Sequence, residues 1–240
     1  MKAIIAYHSI DESGSVISLA PGRFREQVRW LASGAVRVLP VADLVAADDG
    51  RPAIALTFDD GFANFADVWP LLRDTGLPVT LFVPSGFVGA SNRWEALPGA
   101  AMPVLDLLDW HTLGRLAEEG VTLGAHSRTH RDLRALSDEM LEEEVAGSLA
   151  DIRRETGARV DAFAYPYGYH DERVVASVGA VCTWACTTAL RPVRTGDPVH
   201  ALPRLDSYYL RGPARLTAFG SRGFRWYLAG RNGLRRLRAG

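Results

Sequence analysis

The sequence predicts a single-domain α/β barrel built on a parallel sheet, and three observations carry that prediction. Short apolar segments rich in β-branched and aromatic residues recur along the chain. Helical patterns separate them, and the polar residues suited to chemistry cluster where the apolar segments end. The 240 residues are 48% hydrophobic and 23% charged. These ordinary globular values exclude a disordered chain, a collagen-like fibre and a disulfide-stapled miniprotein. A chain of this length buries roughly 70% or more of its unfolded surface, so folding itself requires neither metal nor disulfide.

Strands are expected at residues 3–7, 54–58, 79–83, 122–125, 162–165 and 181–187, where short apolar runs match buried parallel strands. Phe24, Val28 and Leu31 repeat at helical spacing after Pro21, a favoured first-turn residue. A second helix is expected from Ser137, a suitable N-cap, to Gly157. Its apolar stripe is Leu141, Val145, Leu149 and Ile152; Glu142, Glu143 and Glu144 fall off the stripe and read as a solvated face. Six or so β–α units in one chain favour a closed parallel barrel over an open sheet. Active-site residues of such a barrel stand just after its strands.

The formal net charge of −1 hides an asymmetry. Residues 1–206 hold 19 of the 27 basic groups and all 28 acidic groups, a balance of −9. Residues 207–240 hold eight arginines and no acid, a balance of +8. The chain therefore divides into an expected barrel, 1–210, and an Arg-rich helical tail, 211–240. Phe219, Phe224, Trp226, Tyr227, Leu228, Leu234 and Leu237 interleave with the tail arginines. That pattern suits either a helix clasped on an acidic barrel or a segment lying on an anionic membrane. Nucleic acid is not an expected partner, because the acidic barrel repels phosphates, and no feature specifies self-association. The apolar run at 3–6 is far shorter than a signal-peptide core, and the uncharged stretch 174–190 is polar and short for a span. A cytoplasmic protein is expected, peripheral to the inner membrane face if the tail binds lipid. Cys182 and Cys186 read as two buried small hydrophobes; on one strand their Cα atoms would be roughly 13 Å apart, too far to bridge.

Three motifs carry chemistry. Thr57-Phe58-Asp59-Asp60-Gly61 ends one strand. Two adjacent buried carboxylates are costly unless a cation stabilises one and leaves the other free to accept a proton. His126-Ser127-Arg128-Thr129-His130 ends another. Imidazoles four residues apart can meet on one face of a helical turn and bind one metal ion. Together these motifs hold the two-His, one-carboxylate set of hydrolytic zinc and some non-haem iron sites. Tyr165-Pro166-Tyr167-Gly168 follows a third strand, and a backbone N–H in so rigid a turn, that of Tyr167 for instance, is a candidate oxyanion donor. Trp94 and Trp110 are candidates for stacking on sugar rings.

TFDDG, HSRTH and the YPYG turn, in this order and spacing, resemble the first three motifs of the polysaccharide deacetylase family, the carbohydrate esterase family 4 or NodB-homology enzymes. The resemblance covers at least residues 7–206. It implies a distorted (β/α)7 barrel and a divalent metal, usually zinc, with cobalt or nickel as alternatives. It also implies hydrolysis of an N-acetyl, sometimes O-acetyl, group on a sugar. Asp60, His126 and His130 match the metal ligands, Asp59 the general base, and Tyr167, in the turn that Pro166 opens, the backbone donor to the oxyanion.

Two departures from the family pattern stand out. Position 164 is alanine where the third motif normally opens with an arginine that pairs with the base. The late Leu-x-His motif, the usual source of the general acid, is missing. Both departures resemble the circularly permuted branch that includes the biofilm poly-N-acetylglucosamine deacetylases, where an N-terminal Tyr-His strand, here Tyr7-His8, replaces that motif. His8 is accordingly expected as the acid, whereas His111, His170 and His200 end no clear strand. Residues 202–206 match a late strand of the same branch, with Arg204 expected to line the pocket and Asp206 to orient the acid histidine. The expected function is metal-dependent N-deacetylation of a glycan, lipid-linked or nucleotide-linked sugar. A sugar-binding pseudoenzyme and an amidase on a small non-sugar amide are the competing expectations.

Overall fold

The computed structural model describes residues 1–94, 102–212 and 214–239, and only the backbone of the last six. Its strands are β1 (Lys2–Tyr7), β2 (Arg37–Val38), β3 (Ala53–Phe58), β4 (Val79–Val83), β5 (Thr122–Ala125), β6 (Ala162–Ala164), β7 (Trp184–Cys186) and β8 (Arg204–Asp206). They form one sheet in the order β7-β6-β5-β4-β3-β1-β8, every pair parallel, with the short β2 alongside β3. The segment entering β8 closes on β7, the strand at the other end of that order. The Leu202 N–H donates to Ala185 O (2.9 Å), and the Thr187 N–H donates to Leu202 O (2.8 Å). The sheet is thus a nearly closed barrel, as the sequence predicted.

Alternation along each strand sorts the residues. Ile5, Tyr7, Ile54, Leu56, Phe58, Leu81, Leu123, Phe163 and Tyr165 join the main core beneath the helices. Ile4, Ala53, Ala55, Phe82, Ala162, Ala164, Trp184, Cys186 and Leu202 join the smaller core inside the barrel. Five alanines or glycines in that interior (Ala53, Ala55, Gly124, Ala162 and Ala164) leave room for a few large side chains, since barrel interiors are filled to crystal-like density. Phe82 takes some of this room: a Cβ on Gly124 would lie 2.5 Å from its ring. Arg204, 1% exposed, takes more.

The helices are α1 (Pro21–Ala32), α2 (Val41–Ala46), α3 (Phe65–Asp74), α4 (Trp110–Glu118), α5 (Asp138–Glu142), α6 (Ser148–Thr156), α7 (Glu172–Gly179) and α8 (Arg222–Ala239). Side chains cap several as their sequences require: Asp109 accepts from the Thr112 N–H, Ser137 from Met140 and Asp171 from Val174. The helix expected from Ser137 to Gly157 contains a π-helical turn, Glu143–Gly147, between α5 and α6, and closes on Gly157 at φ 69°. The wider turn shifts the helical phase by about one residue, and this overturns one expectation. Glu144 is not on a solvated face but is buried.

The strand expected at 181–187 is limited to Trp184–Cys186, because Cys182 still belongs to the turn after α7. Both cysteines are buried free thiols, pushed up to about 12 by burial. Within the tail, α8 presses Phe224 and Leu228 into the main core. No helix among the described residues is long and apolar enough to cross a membrane.

Candidate active site and metal centre

Four non-glycine residues with left-handed backbones stand at strand ends: Asp60 (φ 70°), Ser127 (φ 62°), His130 (φ 56°) and Tyr167 (φ 58°). Such backbone is costly outside glycine and persists only where surrounding structure enforces it, commonly at functional sites. At Asp60 it turns the chain one residue earlier than Gly61, so Asp59 and Asp60 enter one pocket although strand geometry would oppose them. At Ser127 and His130 it replaces the helical turn expected for HSRTH. The two imidazoles meet through a loop, with ring centroids 4.8 Å apart.

That loop is held from below. The Glu144 carboxylate accepts the N–H groups of Arg128 and Thr129, both at 2.8 Å, and the Thr129 hydroxyl (2.5 Å). Arg128 makes a two-point contact with Asp151 (2.7 and 3.1 Å), and Ser127 Oγ accepts the His130 N–H (2.9 Å). Arg128 passes over Gly147, where a Cβ would lie 2.6 Å from its guanidinium carbon. Replacing Glu144 with alanine is expected to leave two loop N–H groups without their acceptor. The expected cost is about 2 kcal/mol or more of stability, and about 4–8 °C in Tm. Metal affinity is expected to weaken by roughly 10–100-fold, as for lost support of a ligand loop. Thermal melts and metal titration check both; unchanged metal affinity would separate Glu144 from the site.

Asp60, His126 and His130 offer one ligand atom each, all within 4.8 Å of one another and all buried. Nε2 of His126 lies 3.5 Å and Nε2 of His130 lies 3.4 Å from Asp60 Oδ1, which is buried with no hydrogen-bond partner. His126 Nδ1 is 2.6 Å from the carbonyl oxygen of Ala164. A carbonyl only accepts, so Nδ1 carries the proton and the Nε2 lone pair faces the cluster. Burial pushes His126 down to about 4 against the opposing pull of Asp59, which keeps the ring neutral at pH 7, as ligation requires. Burial would raise Asp60, but the nearby His130, with His126 and His8, holds it low. An orphaned carboxylate oxygen facing two imidazoles, of which His126 presents its Nε2 lone pair, fits a divalent cation.

Asp59 is 3% exposed and forms a two-point ion pair with Arg204: Nη1 to Oδ1 2.6 Å, Nη2 to Oδ2 2.7 Å. The guanidinium also donates to Thr187 O (3.0 Å) and Thr57 Oγ1 (3.2 Å), and lies 5.7 Å from the Phe82 ring centroid. Burial tends to raise Asp59, yet Arg204, His126 and His8 outweigh it and hold the carboxyl well below the usual range. Arg204 was expected only to line the pocket; in space it stands where a cation paired with Asp59 is needed, and the small Ala164 helps make room. Signals for this role were a buried-strand arginine and an alanine-rich barrel interior.

His8 follows β1 with Tyr7 turned outward, where the Tyr7 hydroxyl donates to Gln27 Oε1 (2.7 Å). His8 Nε2 lies 3.8 Å from Asp59 Oδ2, and its Nδ1 is buried without a partner. Asp206 therefore does not hold His8 Nδ1; its carboxylate accepts the Tyr208 N–H (2.8 Å) and caps the turn after β8. His111 is exposed on α4, His170 stacks on Tyr165, and His200 meets the Cys182 carbonyl.

The turn at Pro166 begins from extended Tyr165 and places the Tyr167 ring 4.7 Å from His130. A Cβ on Gly168 would lie 2.6 Å from the Thr188 backbone nitrogen, so this exit requires glycine. Trp94 does not offer a sugar platform as expected: it is buried and stacks on His130 at 4.4 Å. Trp110 packs half-buried against the main core.

The family model "Polysaccharide deacetylase" matches residues 46–181. An uncharacterized protein of Streptomyces coelicolor, SCO4760, is 31% identical over 63% of this chain and 55% of its own length. The chain spans little more than half the length of the curated relatives it matches. The solved polysaccharide deacetylase BC0361 of Bacillus cereus has a TM-score of 0.70, with 24% identity over 85% of this chain and 64% of that one. IcaB of Ammonifex degensii has a TM-score of 0.72, with 18% identity over 95% of this chain and 97% of that one.

Proposed function

Because the chain belongs to the polysaccharide deacetylase family, we propose that it is a metal-dependent hydrolase that removes the N-acetyl group of an N-acetylated sugar. The observation that carries this reading is the pairing of two carboxylates in two environments. Asp60 faces two imidazoles, and Asp59, one residue away, faces a guanidinium.

Asp60, His126 and His130 would hold the metal, with zinc favoured by the His/carboxylate set and cobalt or nickel as alternatives. Such an ion, when bound, polarises an acyl carbonyl and lowers the pKa of a bound water toward about 7. Asp59, kept ionised by Arg204, takes a proton from the attacking water as its oxygen bonds to the acetyl carbon. The Tyr167 N–H donates to the oxyanion, within the turn fixed by Pro166 and Gly168. His8, protonated, gives its proton to the sugar nitrogen as the C–N bond breaks, which leaves acetate and the free amine.

The missing arginine at position 164 was the ground for the pseudoenzyme alternative, against which the metal set and base already stood. Arg204 weakens that alternative, since a binder gains nothing from a base held ionised in a buried pocket. An acetate-release screen of the metal-loaded protein on chitooligosaccharides, lipid-linked N-acetyl sugars and sugar nucleotides tests the proposal. Release from at least one class is expected. Release from none, with metal bound, would overturn it in favour of the binder or an amidase on a non-sugar amide.

A further inference from the structure

The described part of the tail is not held to the barrel by ion pairs. Among the described residues, no arginine after Asp206 forms an ion pair with a carboxylate, although the barrel it covers is acidic. Its attachment is apolar and aromatic, with Arg211 donating to the Ser15 and Ser18 carbonyls. Phe224 and Leu228 are buried, and the Tyr227 hydroxyl donates to Tyr209 O (2.9 Å). Arg215 lies 4.2 Å from the Tyr227 ring centroid. These contacts use one face of α8 and turn Arg222, Arg225 and Trp226 to the other. The side chains of Leu234 and Leu237, which the sequence offered to the same role, lie outside the described residues.

Two features of that outer face point to one occupant. Trp226 is 77% exposed, the most exposed of the large hydrophobic residues described. Its chain neighbour Arg225 opens on a cavity of about 610 Å³ that α8 and the segment bridging Lys2 enclose. Arg194 and Arg225 line this cavity above buried Leu190 and Leu228. The neighbouring Arg191 is occupied by Asp197 at 2.7 and 2.9 Å, whereas neither Arg194 nor Arg225 has a carboxylate hydrogen-bonded to its guanidinium. Among the described residues Arg225 has no carboxylate partner, and Arg194 shares the charge of Asp197 with the hydrogen-bonded Arg191. Such cations over an apolar floor, on a face that also exposes an indole, are the parts of a surface that meets anionic lipid: arginine for phosphate, tryptophan for the headgroup layer.

We propose that the outer face of α8 and the Arg194 segment dock this protein peripherally on an anionic phospholipid bilayer. Trp226 enters the headgroup layer, and Arg194 and Arg225 hold a lipid phosphate. The cavity adjoins the N-terminal end of β1, opposite the strand ends that carry Asp59, Asp60 and His126, so docking leaves the candidate active site open to water. This reading is independent of the deacetylase assignment.

The test is co-sedimentation of the full chain with phosphatidylcholine vesicles, with and without phosphatidylglycerol, at low and high salt. Quenching of tryptophan by bromine-labelled acyl chains is measured in parallel. Salt-sensitive binding to anionic vesicles alone is expected. Arg225→Ala should weaken binding about fivefold, and Arg194→Ala with Arg225→Ala roughly 25-fold. Arg225→Lys should stay close to the parent, and Trp226→Phe should remove most of the quenching. Trp226 and Arg225 are exposed, so circular dichroism should be unchanged. Failure to bind anionic vesicles, equal binding to neutral ones, or arginine variants that bind like the parent would each overturn the proposal. So would competition-free uptake of inorganic phosphate by a chain that ignores vesicles, which would assign the cavity to a soluble anion.

Discussion

Alanine at Asp60 or at His126 is expected to abolish metal uptake and turnover together. Each contributes one of the three clustered ligand atoms found among the described residues, and two remaining groups fall short of the three protein ligands of a hydrolytic metal site. Loss of the ion removes several kcal/mol of transition-state stabilisation, on the order of 10³-fold or more in rate. Binding also leaves a thermodynamic mark. Metal at 1,000 times its Kd stabilises the folded state by about 4 kcal/mol, or roughly 8–16 °C in Tm for a chain of this size. The parent should show that rise on metal addition, and neither variant should. Elemental analysis beside thermal melts reads both effects. A His126→Ala protein that retains stoichiometric metal would remove the imidazole from the site.

Replacing Arg204 by methionine is expected to give the second-largest effect, in two separate ways. The substitution leaves Asp59 as a buried carboxylate whose guanidinium partner is gone, a change that costs about 3–5 kcal/mol of stability at neutral pH. It also moves the base. Burial pushes Asp59 upward and Arg204 is the strongest force opposing it, so without Arg204 the carboxyl protonates at higher pH. A base works only when deprotonated, so the acid limb of kcat/KM should move to higher pH in Arg204→Met and much less in Arg204→Lys. Stability carries the same sign. The pair contributes fully above the unfolded carboxyl value of about 3.9, and that contribution is lost as pH falls through the lower folded value. Asp59→Asn should keep the metal and lose roughly 10²–10⁴-fold in turnover. Full activity in Asp59→Asn, or an acid limb that does not move in Arg204→Met, would sink the assignment of base and partner.

The strand ends were legible because they depend on neighbours in the chain. Short continuous apolar runs mark where each strand stops, so TFDDG, HSRTH and YPYG fall at the strand ends of one barrel on sequence grounds. Glu144 was misread because three consecutive glutamates read as one solvated face, although a helix spaces them about 100° apart in phase. One π-helical turn changes that phase and sends its carboxylate under the histidine loop. HSRTH was misread in detail for a related reason. The spacing of its histidines suits a helical turn, but Glu144 and Ser127 hold a loop with left-handed residues instead.

The sequence alone therefore settled which residue types meet at the site and in what order the strands bring them, since both follow from local pattern and from chain connectivity. It could not assign the cation that pairs with Asp59. Arg204 lies 145 positions away, and its role depends on how the small residues lining the barrel leave volume for one long side chain. It also could not divide the tail into the face that packs on the barrel and the face left to solvent. Such choices are made by competition for space and partners among residues distant in the chain, and only the closed barrel brings those competitors together.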